Sequence, residues 1–143
     1  MKNNIGKLIL DLIEIALSDP NYNGFEDLGA LSKNEIESIK KLLNEDLSGY
    51  VHVISADQVR HSIIRHGIDS NDRNPILVSD FVLIPIILTD FDTIKKAGTG
   101  KKSQNQFIIY EKKIGDIYYC VEEIRKGRKK IAFYSLYKRK SQV

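Results

Sequence analysis

The stretch QFIIYEKKIGDIYYCVEEIRKGRKKIAFYSLYK, residues 106–138, decides the fold. Apolar and polar residues alternate through it, the period of two expected of a strand with one covered face. The alternation breaks at Gly115-Asp116 and again at Lys126-Gly127-Arg128, and both breaks are short enough for tight hairpins. Residues 93–97 continue the period upstream, joined through the flexible loop Gly98-Thr99-Gly100-Lys101-Lys102-Ser103. Four strands at about 93–97, 106–113, 117–124 and 130–138, linked by consecutive hairpins, predict an antiparallel meander.

Working outward, the chain before residue 93 changes to helical spacing. Ile5, Leu8, Ile9, Leu12, Ile13 and Ala16 form one apolar stripe, ended by Asp19-Pro20. Ser32 and Glu35 stand in capping-box register before a second stripe of Ile36, Ile39, Leu42 and Leu43. Val51 and Val53 flank His52 in a short extended piece. Ser55 and Gln58 then open a short third helix that ends at Gly67. Residues 69–75 read as loop, and Ser79 begins a fourth helix that Pro85 kinks or restarts. Helices followed by strands predict an α+β fold, with the helices on one face of a four-stranded antiparallel meander and the other face open.

The bulk numbers narrow the function. At 143 residues, 42% of them hydrophobic, the chain suits one domain with an ordinary core. Its single cysteine, Cys120, excludes an internal disulfide framework and fits a reducing, cytosolic setting. The longest apolar run, residues 81–88, is far below the roughly 18 residues of a membrane span. Charge is strongly divided: residues 93–143 hold 14 Lys and Arg against 4 Asp and Glu, whereas residues 1–92 hold 8 against 15. A basic half of this kind either meets a polyanion or presents a solvated lysine surface.

Possible chemistry concentrates in the third helix, Val59-Arg60-His61-Ser62-Ile63-Ile64-Arg65-His66-Gly67. Neither His61 nor His66 falls on its apolar side. Two histidines framed by Arg60 and Arg65 suit cleavage of a phosphodiester without metal, because imidazole can hold or release a proton near neutrality. The plainer alternative is a basic helix end that complements the dipole. Five residues of straight helix set the two rings about 140° apart, so they share one site only if Gly67 unwinds the last turn. A metal-ligand motif, P-loop, nucleophile elbow and dinucleotide fingerprint are all missing from the sequence. In the last strand, Ser135 and Tyr137 alternate with Ile131 and Phe133 onto one face, either to hold a phosphate or as edge packing. Tyr110, Tyr118, Tyr119 and Tyr134 interleave with lysines, a composition suited both to stacking bases and to simple strand formation.

Taken in order, Leu47-Ser48-Gly49-Tyr50-Val51-His52-Val53-Ile54, Val59-Arg60-His61, Arg65-His66-Gly67, Asp80-Phe81-x-x-Ile84-Pro85, Ile109-Tyr110-Glu111-Lys112-Lys113-Ile114-Gly115-Asp116, Val121-Glu122-Glu123-Ile124-Arg125 and Lys130-Ile131-Ala132-Phe133-x-Ser135-Leu136-Tyr137-Lys138 resemble the phage-associated barnase–EndoU–colicin–RelE-like nucleases. The resemblance covers about residues 47–140. It implies a metal-independent ribonuclease, often a toxin domain of phages or mobile elements, with helices packed on a four-stranded antiparallel sheet. It also implies catalytic roles for His61 and His66, with His52 as a third histidine, and places the final-strand hydroxyl on Ser135 and its aromatic neighbour on Tyr137. Residues 1–46 are then a helical extension packed on a nuclease domain of residues 47–143.

The expected activity is endoribonucleolytic cleavage by the neighbouring 2′-hydroxyl, leaving a 2′,3′-cyclic phosphate and needing no cofactor. Arg60 or Arg65 would clamp the phosphate, with Lys112, Arg128, Tyr110 and His52 as further substrate contacts. RNA is the expected partner, together with an immunity protein or antitoxin, and the bacterial cytosol the expected place of action, whether the protein is made there or delivered. The competing expectations are a catalytically silent RNA- or partner-binding module, and an accessory protein of a phage or mobile element that binds through its acidic helices.

Overall fold

A computed structural model describes residues 4–141. The predicted meander is present as β3 (Thr93–Thr99), β4 (Gln106–Ile114), β5 (Asp116–Arg125) and β6 (Lys130–Arg139). Two more strands precede it, β1 (Phe25–Ala30) and β2 (Val51–Ser55), and the sheet order is β1-β2-β6-β5-β4-β3. The sheet is therefore six-stranded and mixed, not a four-stranded antiparallel meander. β2 lies parallel to the start of β6, with His52 beside Ile131 and Val53 beside Ala132, and β1 runs antiparallel on its outer side. β1 carries almost no alternation, because only Leu28 is buried and the register shifts between Asp27 and Gly29. β2 is interior and buried on both faces, so His52, Val53 and Ile54 are all enclosed.

Helices cover one face, as expected. They are α1 (Ile5–Ser18), α2 (Lys33–Leu43), α3 (Ala56–His66) and α4 (Ile84–Thr89), the last preceded by a 3-10 segment over Val78–Leu83. The capping box forms at α2: Ser32 Oγ accepts from the Glu35 N–H, and Glu35 accepts from the Ser32 N–H. Pro85 restarts the helix rather than kinking it, sitting in the first turn of α4 where no backbone donor is needed. The apolar stripe of α1 (Ile5, Ile9, Leu12, Ile13 and Ala16) joins one core with Phe81, Ile84, Ile87 and the inner side chains of the sheet.

Two features of β6 position the open face. Tyr134 is an extra residue, since Val121 pairs with Ser135 but Glu122 pairs with Phe133. This bulge reverses the strand phase. Ile131 and Phe133 face the helices, whereas Ser135 and Tyr137 lie on the opposite face with Val121 and Tyr119. The expectation that all four share a face is thus corrected. Because β2 pairs with β6 only through residues 130–132, the rest of that edge is covered by α3. There Ser62 Oγ donates to the Leu136 carbonyl and accepts from the Leu136 N–H, each at 3.0 Å, meeting both groups that lack a strand partner.

Candidate active site

The open face gathers the chemistry around the end of α3 and the second half of β6. His66 Nδ1 lies 2.9 Å from Asp72 Oδ2. A carboxylate only accepts, so Nδ1 carries the proton and Nε2 is the free atom of the ring. Asp72 is held by its loop: the Asp72 N–H donates to Ser70 Oγ, and the Asn74 N–H donates to Asp72 Oδ1. Arg139 Nη1 contacts both Asp72 oxygens at 3.2 Å. Burial alone would raise the Asp72 carboxyl, but the hydrogen bonds from Asn74, His66 and Arg139 outweigh it and hold the group below its usual range. The His66 ring lies 5.1 Å from that of Tyr137, which stacks on Tyr119 at 4.9 Å with 14° between planes. Arg139 sits over the Tyr137 ring, 5.0 Å from its centre.

Arg65 lines three cavities. The largest, about 700 Å³, is lined by His66, Asp72, Arg73, Asn74, Arg139 and Lys140 beside it. A small one of about 70 Å³ holds Gln58, His61, Tyr134 and Ser135. The third, about 580 Å³, runs under the β3–β4 loop with Lys101, Lys102 and Phe107. Ser135 Oγ is buried and has no hydrogen-bond partner, so an inward-facing hydroxyl lies unused beside His61 and Arg65. α3 stays helical through His66, and the Gly67 N–H closes on the Ile63 carbonyl at 2.7 Å. The last turn does not unwind, and the two histidines open into different cavities.

A family model described as phage-Barnase-EndoU-ColicinE5/D-RelE like nuclease3 (PBECR3) matches residues 30–143. The chain belongs to this family. It is a nuclease-like domain, and the PBECR3 match reaches back past residue 47 to take in α2. No curated protein and no solved structure matches the chain.

Within this PBECR3 domain, the other sequence-predicted residues lie elsewhere. Arg60 donates to the carbonyls of Ala16 at 3.0 Å and Tyr22 at 2.6 Å, tying α3 to the end of α1; its guanidinium is occupied in the fold. Lys112 lies on the helix side of β4, paired with Asp90 at 3.3 Å and Asp92 at 3.6 Å. Arg128 is exposed at the β5–β6 turn, near β1 and β2. Tyr110 is fully buried and donates to Glu35 at 2.9 Å, which excludes base stacking. His52 is fully buried as well, with Nε2 2.6 Å from Glu35 and Nδ1 3.4 Å from Glu122.

The Glu35–His52–Glu122–Tyr110 group is a polar cluster inside the core, on the helix side of the sheet. Burial pushes His52 toward neutrality, but the 3.4 Å ion contact with Glu122, the 2.6 Å hydrogen bond to Glu35 and the charges of both carboxylates outweigh it and raise its pKa to about 9. Burial raises Glu122 to about 7, partly opposed by His52. Burial likewise works to raise Glu35, yet the hydrogen bond from His52 and those from Ser32 keep it below its usual range. The neighbouring Glu123 points to the open face and pairs with Arg125 at 2.7 Å. Among the described residues no helix is long and apolar enough to cross a membrane.

Proposed function

We propose that the protein is an endoribonuclease that cuts RNA by attack of the 2′-hydroxyl on the adjacent phosphate. The observation that supports it best is the His66–Asp72 pair in a cavity that Arg65 and Arg139 also line, with Arg65 lining the His61–Ser135 cavity as well. The bond from the 2′-oxygen to phosphorus forms as the bond to the 5′-oxygen breaks, and the products are a 2′,3′-cyclic phosphate and a 5′-hydroxyl. Such a step needs one group to take the 2′-hydroxyl proton, another to protonate the leaving oxygen, and positive charge on the phosphorane.

His66 fits the proton-transfer role, since Asp72 fixes its tautomer and ring orientation and leaves Nε2 free. Arg65 borders all three cavities and supplies positive charge to the phosphate. Because α3 stays wound and His61 opens into a different cavity, the complementary proton falls to Tyr137, whose ring lies 5.1 Å from that of His66, and Ser135 Oγ holds a phosphate oxygen. Tyr137 orients the His66 ring through their contact. These groups cover the proton transfers and the charge, so no metal ion is assigned a step. Acting in a bacterial cytosol, such an enzyme calls for an immunity protein that covers this same open face.

The test is incubation of the protein with an end-labelled single-stranded RNA in excess EDTA. Cleavage by the native protein is expected, falling at least about 10²-fold in Arg65→Ala. Cleavage that appears only on adding Mg²⁺, or that is indifferent to Arg65, contradicts the assignment.

A further inference from the structure

Across the open face from His66, a cavity of about 450 Å³ is lined by Phe25, Val53, Gln58, Arg125, Arg128 and Lys130. Val53 and Ala132, neighbours across the parallel β2–β6 pair, give it apolar lining. Phe25 opens β1 and is 57% exposed, an unusual position for a large aromatic side chain. Lys130 Nζ stands 4.8 Å from the centre of its ring. Arg128 is exposed on the hairpin turn, and Asn23 and Asp57 complete the rim with groups able to meet a base edge. Gln58 borders both this cavity and the one holding His61 and Ser135, so the two are neighbours on either side of one side chain.

We propose that this cavity is a nucleotide subsite for the strand flanking the cut, with a base stacked on Phe25 and its phosphate held by Arg128 and Lys130. An exposed ring beside solvent-accessible cations is the arrangement that binds single strands with little sequence preference, because every base presents a π-face and every link a charge. The carboxylate of Asp57 on the rim adds a preference for a base edge rich in N–H donors. An acidic peptide would find the cations but gain little from the ring. This subsite rests on the ribonuclease reading for its cleavage consequences, while strand binding can be measured without cleavage.

Two measurements separate the possibilities. In steady-state cleavage, Phe25→Ala should raise KM about 10-fold for a ten-nucleotide RNA. A dinucleotide, spanning only the cut phosphate, should be cleaved as by the native protein, and Phe25→Tyr should restore the longer substrate. Equal losses on both substrates, or none on either, overturn the subsite. In parallel, fluorescence anisotropy with a ten-nucleotide strand lacking 2′-hydroxyls should show about 10-fold weaker binding by Phe25→Ala. If the native protein cuts no RNA but this binding difference holds, the subsite stands and the catalytic proposal fails. If the strand binds Phe25→Ala as tightly as the native protein, or an acidic peptide displaces it selectively, the subsite fails.

Discussion

Replacing Glu122 by Gln should remove a pH dependence of stability that the native fold carries in its core. Glu122 is 1% exposed, so solvent screening discounts little of its shift. Its folded pKa of about 7 lies above the ordinary 4.5, so the folded state binds the proton more tightly than the unfolded chain. The stability this provides is fully present below pH 4.5 and is lost as pH rises through 7. At about 1.36 kcal/mol per pH unit, the loss is about 2 kcal/mol by pH 6.5 and about 3 kcal/mol by pH 8. His52 acts with the same sign but later, its contribution being present below 6.5 and lost as pH rises through about 9. Glu35 has the opposite sign, because its lowered pKa places its loss below 4.5. Between pH 4.5 and 6.5 the slope therefore belongs chiefly to Glu122. Urea denaturation of the native protein and Glu122→Gln across this window should give curves that lie closest near pH 4.5, where Gln mimics the protonated carboxyl, and that diverge as pH rises, the native protein losing about 2 kcal/mol more than the flat variant by pH 6.5. Parallel profiles would contradict a Glu122 that binds its proton near neutrality.

Other substitutions separate scaffold from site. Ser135→Ala removes a hydroxyl without a partner, so the melting temperature should hold within a few degrees while cleavage falls; a collapse of stability with normal activity per folded molecule would place Ser135 in the scaffold. Arg60→Ala strips hydrogen bonds from the carbonyls at the end of α1 and should cost about 1–3 kcal/mol in denaturant titration, leaving turnover per folded molecule unchanged. His66→Ala should lower turnover by about 10²–10⁴-fold. Asp72→Asn should lower it less and alter the pH–rate profile; an unchanged profile would deny Asp72 its part in proton transfer.

The meander was legible because β4 and β5 keep one face covered and one open, which writes the period of two directly into residues 106–125. β1 left no such trace: one buried leucine and a register shift cannot announce a strand whose partner is chosen by the rest of the sheet. The Tyr134 bulge was equally hidden, since it arises from long-range pairing with β5 and from Ser62 docking on Leu136, and it sent Ser135 to the face opposite Phe133. Histidine 52 between two valines gave no sign that two carboxylates, from α2 and β5, converge on it. Asp72 lay in a segment read only as loop. Its Asp-x-Asn spacing marks an Asx turn, a signal for local geometry but not for the histidine it meets. Arg65 and His66, projecting from a helix whose apolar side faces elsewhere, were the site residues most open to reading from sequence.

The chemistry of the cut itself is best examined on an RNA carrying one 2′-deoxy position at a mapped cleavage site, with mass spectrometry of the fragments from the all-ribose control. Attack by the neighbouring hydroxyl predicts a 2′,3′-cyclic phosphate and a 5′-hydroxyl in the control, and no cleavage at the deoxy position while other sites are still cut. A 5′-phosphate product, or undiminished cutting at the deoxy position, would contradict it.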